Sequence, residues 1–304
     1  MAFAVFAPAD APTAAPNPQR RGGLIAFALL LPGLAYLGLF FLVPFVSLII
    51  TSLGVPSETV YGVYDYGLNF ANYGETIATY WPFFLRSFWY ALLATAIALV
   101  VGYPIAYFIG VQLRDKPLLK NLLLVLVIAP FFISFLLRTL AWKQLFSDEG
   151  PVVSVLQALS LLGPQDHLTG TPFSVVFGLT YNFLPFMVLP LYTSLERLDT
   201  RLIEASGDLY SSPATTFRTV TLPLTLPGIV SGTLLTFIPI SGDFVNASPA
   251  FLGGTGTAMI GNVIQQSYFR AEYPAAAALS IMLMAIVVVI VAIYVRRAGT
   301  DDLL

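Results

Sequence analysis

The hydrophobic positions of this chain fall in long unbroken runs. Six runs reach the roughly 20 mostly apolar residues that a helix needs to cross a bilayer. They cover residues 24–50, 88–111, 121–142, 173–194, 226–244 and 275–295. The fifth is the weakest, diluted by Gly228, Gly232, Pro239 and Gly242. Continuous runs, without alternation, argue against a membrane β-barrel. The expected fold is therefore an all-α integral membrane domain of six transmembrane helices over residues 23–297. A tail rich in Ala and Pro, residues 1–22, precedes it and reads as disordered; a short tail, residues 298–304, follows.

Composition agrees. The chain is 57% hydrophobic and 10% charged, with a mean hydropathy of +0.83, against about 25% charged residues in a typical soluble domain. Its polar stretches are too short for a soluble catalytic domain. With no cysteine, neither disulfides nor thiolate metal sites can form. The first apolar run is too long for the core of a cleaved signal and reads as a retained span.

Charge sets the orientation. With the N-terminus inside, Arg20, Arg21, Arg114, Lys116, Lys120, Arg197, Arg201, Arg218, Arg296 and Arg297 are cytoplasmic, ten of the fourteen basic residues. The first outer loop, residues 51–85, has no Lys or Arg and contains Glu58, Asp65 and Glu75. The positive-inside rule then places both termini in the cytoplasm.

Candidate chemistry is sparse. Prolines 32, 44, 104, 130, 185, 190 and 239 interrupt the spans or sit at their edges. Each removes a helix hydrogen bond, which suits either a transport pathway or plain helix packing. Gly228-x-x-x-Gly232 would let two helix backbones approach closely. Asp243 has two readings: a cation-facing group in a pathway, or an outer-interface residue in water. Tyr181 and Asn182 are a polar pair midway along the fourth span, read as a cavity lining or as helix–helix hydrogen bonding. Tyr192 adds an aromatic face able to attract an ammonium group. Arg138 is expected to snorkel to the outer interface, with Asp148 and Glu149 solvated beyond it. His167, the single histidine, has no metal-binding or catalytic companions in the sequence. No G-x-x-x-x-G-K-[ST] phosphate loop exists, so ATP energy would have to come from a partner. Convergent catalytic groups of a membrane-embedded enzyme are not found. A stand-alone secondary transporter would ordinarily show more spans or an inverted repeat.

The longest well-charged polar stretch lies between the fourth and fifth spans. Within it, Glu204-Ala205-Ser206, three residues, Tyr210, nine residues and Val220-x-Leu222-Pro223 resemble the EAA loop of ABC-importer permeases, E-A-A, three residues, G, nine residues, I-x-L-P. The resemblance implies the type I importer fold. It makes residues 196–223 a coupling loop in which Glu204, Ala205, Ser206, Gly207, Asp208, Tyr210, Leu222 and Pro223 contact a cytoplasmic ABC ATPase dimer. Tyr210 stands where the family has Gly; either Gly207 takes over the bend or the turn is helical and needs no glycine. Residues 181–196, Arg138-Thr-Leu-Ala-Trp142, Pro239-x-x-Gly242-Asp-Phe-Val, Leu252-Gly-Gly254 and Ile260-Gly-Asn-Val-Ile264 look like the spermidine/putrescine permeases, the first of their two permease subunits. Related permeases for thiamine, ferric iron and opines share parts of this. The resemblance implies a bacterial inner-membrane protein that forms half of a translocation pathway and hydrolyses no ATP itself. Its implied partners are a second homologous permease, an extracytoplasmic solute-binding protein and membrane lipid. No cofactor, metal or nucleic acid is expected. Asp243, Tyr181, Asn182 and Tyr192 are the expected pathway residues.

Overall fold

The computed structural model describes residues 22–57 and 63–298. The tail before residue 22, with Arg20 and Arg21, as well as Glu58 and the tail from residue 299, lies outside the described residues. Of the described residues, those up to Leu48 form one unit and those from Ile49 a second.

The first unit is one apolar rod: α1 (Gly22–Leu37), a π turn (Gly38–Leu42) and most of α2 (Val43–Ser52). Pro32 is carried inside α1. Aromatic pairs Tyr36–Phe40 and Phe41–Phe45 run up its side at the four-residue spacing of one helix face.

The second unit opens with a short antiparallel hairpin, β1 (Val55–Pro56) and β2 (Tyr64–Asp65), in register Val55 with Asp65. Next comes α3 (Ala71–Tyr107), extended by a π turn to Gln112. It begins 17 residues before the expected second span, because its start is pinned from a distance: Asn72 Nδ2 donates to the backbone oxygens of Ser52 (2.9 Å) and Gly54 (3.0 Å). The membrane part of α3 presents Ala91, Ala94, Ala98, Gly102 and Ala106 along one buried face. Small residues at steps of three and four bring α3 close against α7 (Pro172–Glu196). Between them Val175 and Leu179 fill the half of the core toward the start of α7, and Met187, Leu191 and Leu195 the half toward its end.

Four helical stretches are individually long and apolar enough to cross a membrane: Phe27–Ser52, Ala71–Gln112, Pro172–Glu196 and Tyr273–Arg297. The last lies in α13 (Tyr273–Ala298). The other two expected spans are bent pairs, and six crossings result when each pair counts as one. The third expected span, 121–142, is not a straight helix. It comprises α4 (Pro117–Ile128), a 3-10 turn (Ala129–Phe132) and α5 (Phe135–Leu145), bent by 95°. Pro130 ends the first piece, and Ile133 and Ser134 are extended. The fifth expected span is α11 (Leu226–Ser241), set at 67° to the stretch Pro213–Leu224 that leads into it. Outside the spans lie α6 (Pro151–Ala158) and α12 (Ile260–Phe269).

Candidate functional site

The loop between α7 and α11 is folded into helices. Asp199 starts α8 (Thr200–Asp208) by accepting the Arg201 backbone N–H at 3.0 Å, the usual role of an aspartate at a helix start. The far end of α8 is a Schellman cap. The Ser211 N–H reaches back to the Ser206 oxygen (3.1 Å) and the Tyr210 N–H to the Gly207 oxygen (2.9 Å). This closure requires the residue between the bonds to be left-handed, a place usually taken by glycine. Here it is Tyr210, at φ +58°. Neither expected accommodation occurs: Gly207 sits inside α8, and the turn is left-handed. The Tyr210 ring is 99% exposed, with Leu209 beside it also bare. Glu204 and Asp208, four apart, share one side of α8, and both are exposed.

Ser212 then caps α9 (Pro213–Thr216), accepting the Thr215 N–H at 3.2 Å. A π turn (Phe217–Thr221) and α10 (Leu222–Leu224) complete the approach to α11. Ser206, where the family pattern has alanine, uses its hydroxyl: it hydrogen-bonds Thr216 at 2.9 Å and ties α8 to α9. Leu222 packs against the half of the core toward the end of α7, and Pro223 is exposed. At the 67° bend, Thr225 is buried and hydrogen-bonded to the Tyr103 hydroxyl of α3 (2.8 Å) and to the Thr221 oxygen (2.9 Å). Just beyond it, Gly228 and Gly232 do bring α11 against α7. A Cβ on Gly228 would stand 2.5 Å from the Ser194 Cβ, and one on Gly232 2.9 Å from the Met187 sulfur. A cavity of about 810 Å³ opens between α7 and α11 beside α8, lined by Pro190, Ser194, Arg197, Asp199, Leu202 and Ser231 among others.

A buried polar network forms at the other end of α11. Asp243, 7% exposed, accepts the Asn246 N–H (2.8 Å) and the Asn246 side-chain N–H (3.1 Å). Asn182, 1% exposed, donates to Asn246 Oδ1 (3.1 Å) and to Thr139 Oγ1 (3.0 Å). One path thus joins the end of α11, the middle of α7 and α5. Asn182 Oδ1 is buried and makes no hydrogen bond within the described residues. Tyr181, next to it, stacks parallel on Phe177 and stands edge-on to Trp142 at 5.2 Å. Tyr192 stands apart, ten residues or about 15 Å further along α7. Its ring faces Lys120 at 5.7 Å, and Lys120 pairs with Glu196.

Sequence reasoning missed Asn246 and Thr139, although Asn246 sits at the i+3 spacing from Asp243 at which an aspartate bonds a backbone N–H. It also misplaced Arg138. This residue does not snorkel outward: it is 7% exposed, 5.9 Å from the Phe135 ring, and its Nε and one terminal nitrogen lack hydrogen-bond partners within the described residues. The bend before α5 is what turns it inward. Between α6 and α7, His167 has a partner after all. It bonds Asp148 at 2.7 Å, and that bond, then the carboxylate's charge, raises the imidazole pKa above its usual value. No group of three or more His, Asp or Glu residues able to hold a metal occurs among the described residues.

Residues 102–298, well over half of the chain, match the family described as binding-protein-dependent transport system inner membrane component. The chain belongs to this family of inner-membrane permeases. Within it, the chain is 39% identical over 220 residues to the spermidine/putrescine transport system permease protein PotB of Salmonella typhimurium, covering 72% of this chain and 75% of that protein. It is 35% identical over 239 residues to PotB of Haemophilus influenzae, 76% of this chain and 82% of that one. Among solved structures it resembles a bacterial ABC transporter involved in the import of the acidic polysaccharide alginate. The TM-score is 0.65 at 16% identity, over 93% of this chain and 97% of that chain, and this likeness establishes the importer permease fold.

Proposed function

We propose that this chain is the non-catalytic permease subunit of an ATP-driven polyamine importer, taking putrescine, spermidine or both. It works with a cytoplasmic ATPase dimer, a second homologous permease and an external solute-binding protein. One observation carries the reading. α8 is an exposed helix that follows directly on α7 and is tied to α9 by the Ser206–Thr216 hydrogen bond, and it stands in a chain 39% identical to a spermidine/putrescine permease.

In this reading Glu204, Ala205, Gly207, Asp208 and Tyr210 face the ATPase, and Leu209 joins them. Ser206 carries displacement of α8 to α9 through Thr216. The stretch to Leu222-Pro223 carries it on to the bend at Thr225 and into α11. ATP-driven closure of the ATPase pair then shifts the permease between inward- and outward-facing states, by favouring one of two existing arrangements.

The solute path passes the network of Asp243, Asn182 and Tyr181. An alkylammonium offers N–H donors and a positive charge. Asn182 Oδ1 is a free acceptor for the first, and Tyr181 and Trp142 supply aromatic faces for the second. The Asp243 carboxylate provides compensating charge. Arg138, of like sign, keeps the ammonium on the Asn182 side. Tyr192 belongs to the cytoplasmic end of the path, beside Lys120.

Uptake of labelled putrescine and spermidine in cells lacking this chain tests the proposal. Wild type is expected to restore uptake, and Glu204→Arg to restore none while still inserting. Equal rescue by both removes the role of α8. No rescue of either solute by an assembled wild-type complex removes the polyamine assignment.

A further inference from the structure

Two basic residues, Arg114 in the turn between α3 and α4 and Lys120 in the first turns of α4, converge on one target, the C-terminal end of α7. A single terminal nitrogen of Arg114 donates to the backbone oxygens of Leu195 (3.3 Å), Glu196 (2.7 Å) and Leu198 (2.9 Å). The Glu196 oxygen is one of the carbonyls that a helix end leaves without partners, Leu198 lies just beyond that end, and the Leu195 oxygen also receives the Leu198 N–H; a cation there meets the negative end of the helix dipole. Lys120 pairs with the Glu196 carboxylate from the first turns of α4. Close packing reinforces the contact, since a Cβ on Gly110 would stand 3.3 Å from the Leu195 Cβ.

The location matters more than the bonds. α8 begins at Thr200, two residues after Leu198. Leu198 is buried, its oxygen is held by Arg114, and Asp199 caps α8. The junction between α7 and α8 therefore has little slack. An uncapped last turn of α7 would be the first segment to fray when α8 is pulled, and its unwinding would absorb the movement.

We propose that Arg114, assisted by Lys120, is a positioning clamp: it joins the end of α7 to the turn after α3, so that displacement of α8 moves α3 and α7 as one body. This rests on the reading of α8 as the ATPase contact. Neither residue touches solute or nucleotide in that reading; both act through the end of α7.

The test uses the complete complex in vesicles, with ATP hydrolysis and accumulation of labelled polyamine measured on the same sample. In Arg114→Gln the ATPase is expected to stay bound and hydrolysis to stay within about twofold of wild type, while solute moved per ATP falls about tenfold, inside the range usual for coupling between sites. Arg114→Lys is expected to recover part of the loss, because an ammonium still donates to carbonyls. Lys120→Gln is expected to lose about threefold in the same ratio, as for a weaker coupling. An unchanged ratio in Arg114→Gln, or hydrolysis and uptake falling in proportion, overturns the clamp. Should Arg114→Gln fail to assemble, Lys120→Gln decides, and an unchanged ratio there overturns it. Glu204→Arg runs alongside. Wild-type coupling in that variant removes the α8 reading and the clamp with it, whereas loss there beside a normal Arg114→Gln removes the clamp alone.

Discussion

Replacing Tyr210 with glycine separates the backbone role of this position from its role as a contact. At φ +58° an L-residue sits with its Cβ crowded against the following carbonyl, at a cost of about 1–2 kcal/mol. Glycine removes that cost but adds about 0.5–1 kcal/mol of chain entropy to the open state. The ring is 99% exposed, so its removal leaves no cavity. The closed cap of α8 therefore gains a net of roughly 0.5–1 kcal/mol. Local opening of the last turn of α8 becomes about two- to fivefold rarer. Amide hydrogen exchange over residues 205–211 of the purified complex reads this directly: exchange is expected to slow in Tyr210→Gly and to stay unchanged in Tyr210→Phe. If the ring is a central anchor of the ATPase contact, the same glycine variant is expected to bind the ATPase about tenfold or more weakly, because tyrosine anchors of that kind are worth about 2 kcal/mol or more. Faster exchange in the glycine variant would refute the left-handed cap, and unchanged ATPase affinity would refute the docking role of the ring.

Gly228→Ala is expected to push α11 off α7, losing about 1–3 kcal/mol in packing against roughly 1 kcal/mol gained in helix propensity. Thermal unfolding should fall, while Gly74→Ala, which meets open space in α3, should leave it level or raise it. Asp243→Asn turns an amide toward donors the carboxylate now accepts; a loss of about 1–3 kcal/mol and abolished uptake are expected, and a fully active variant would remove Asp243 from the path. For His167 the sign is that of a raised pKa. The pairing with Asp148 contributes fully below the ordinary histidine value and is lost as pH rises through the raised one. An NMR titration should place the His167 midpoint above about 6.5 and show it falling in Asp148→Asn; a midpoint that ignores that substitution contradicts the pairing.

Four of the expected spans, 24–50, 88–111, 173–194 and 275–295, were legible because bilayer crossing demands long apolar runs, and those are visible without any knowledge of packing. The close approach at Gly228 and Gly232 was legible for the same kind of reason: small residues at one helical spacing have few other uses in a span. Long-range events were not legible. The early start of α3 depends on Asn72 reaching carbonyls about twenty residues back. The inward turn of Arg138 depends on a 95° bend whose only local marks are Pro130 and two extended residues. In the candidate site, Asp243 and Asn182 were each readable as unusual polar residues in apolar surroundings. That Asn246 and Thr139 join them is a property of α5, α7 and the loop after α11 meeting. At Tyr210 the spacing revealed the position, and only the backbone revealed that the tyrosine adopts the glycine conformation.

Thr225 fixes a fulcrum. Its hydroxyl is tethered to Tyr103 and to the Thr221 oxygen, contacts that resist sliding of the two arms that meet there. Twelve residues, Pro213–Leu224, make the arm nearer α8 and sixteen, Leu226–Ser241, the arm nearer Asp243, about 18 Å and 24 Å at the helical rise. As a rigid crank this geometry multiplies travel by about 1.3. A 3 Å stroke delivered near Ser212 arrives beside Asp243 as about 4 Å, more than the length of a hydrogen bond. In the reading of α8 proposed above, the permease exchanges force for distance, and a small movement at the α8 end suffices to make or break the polar contacts at the far end of α11.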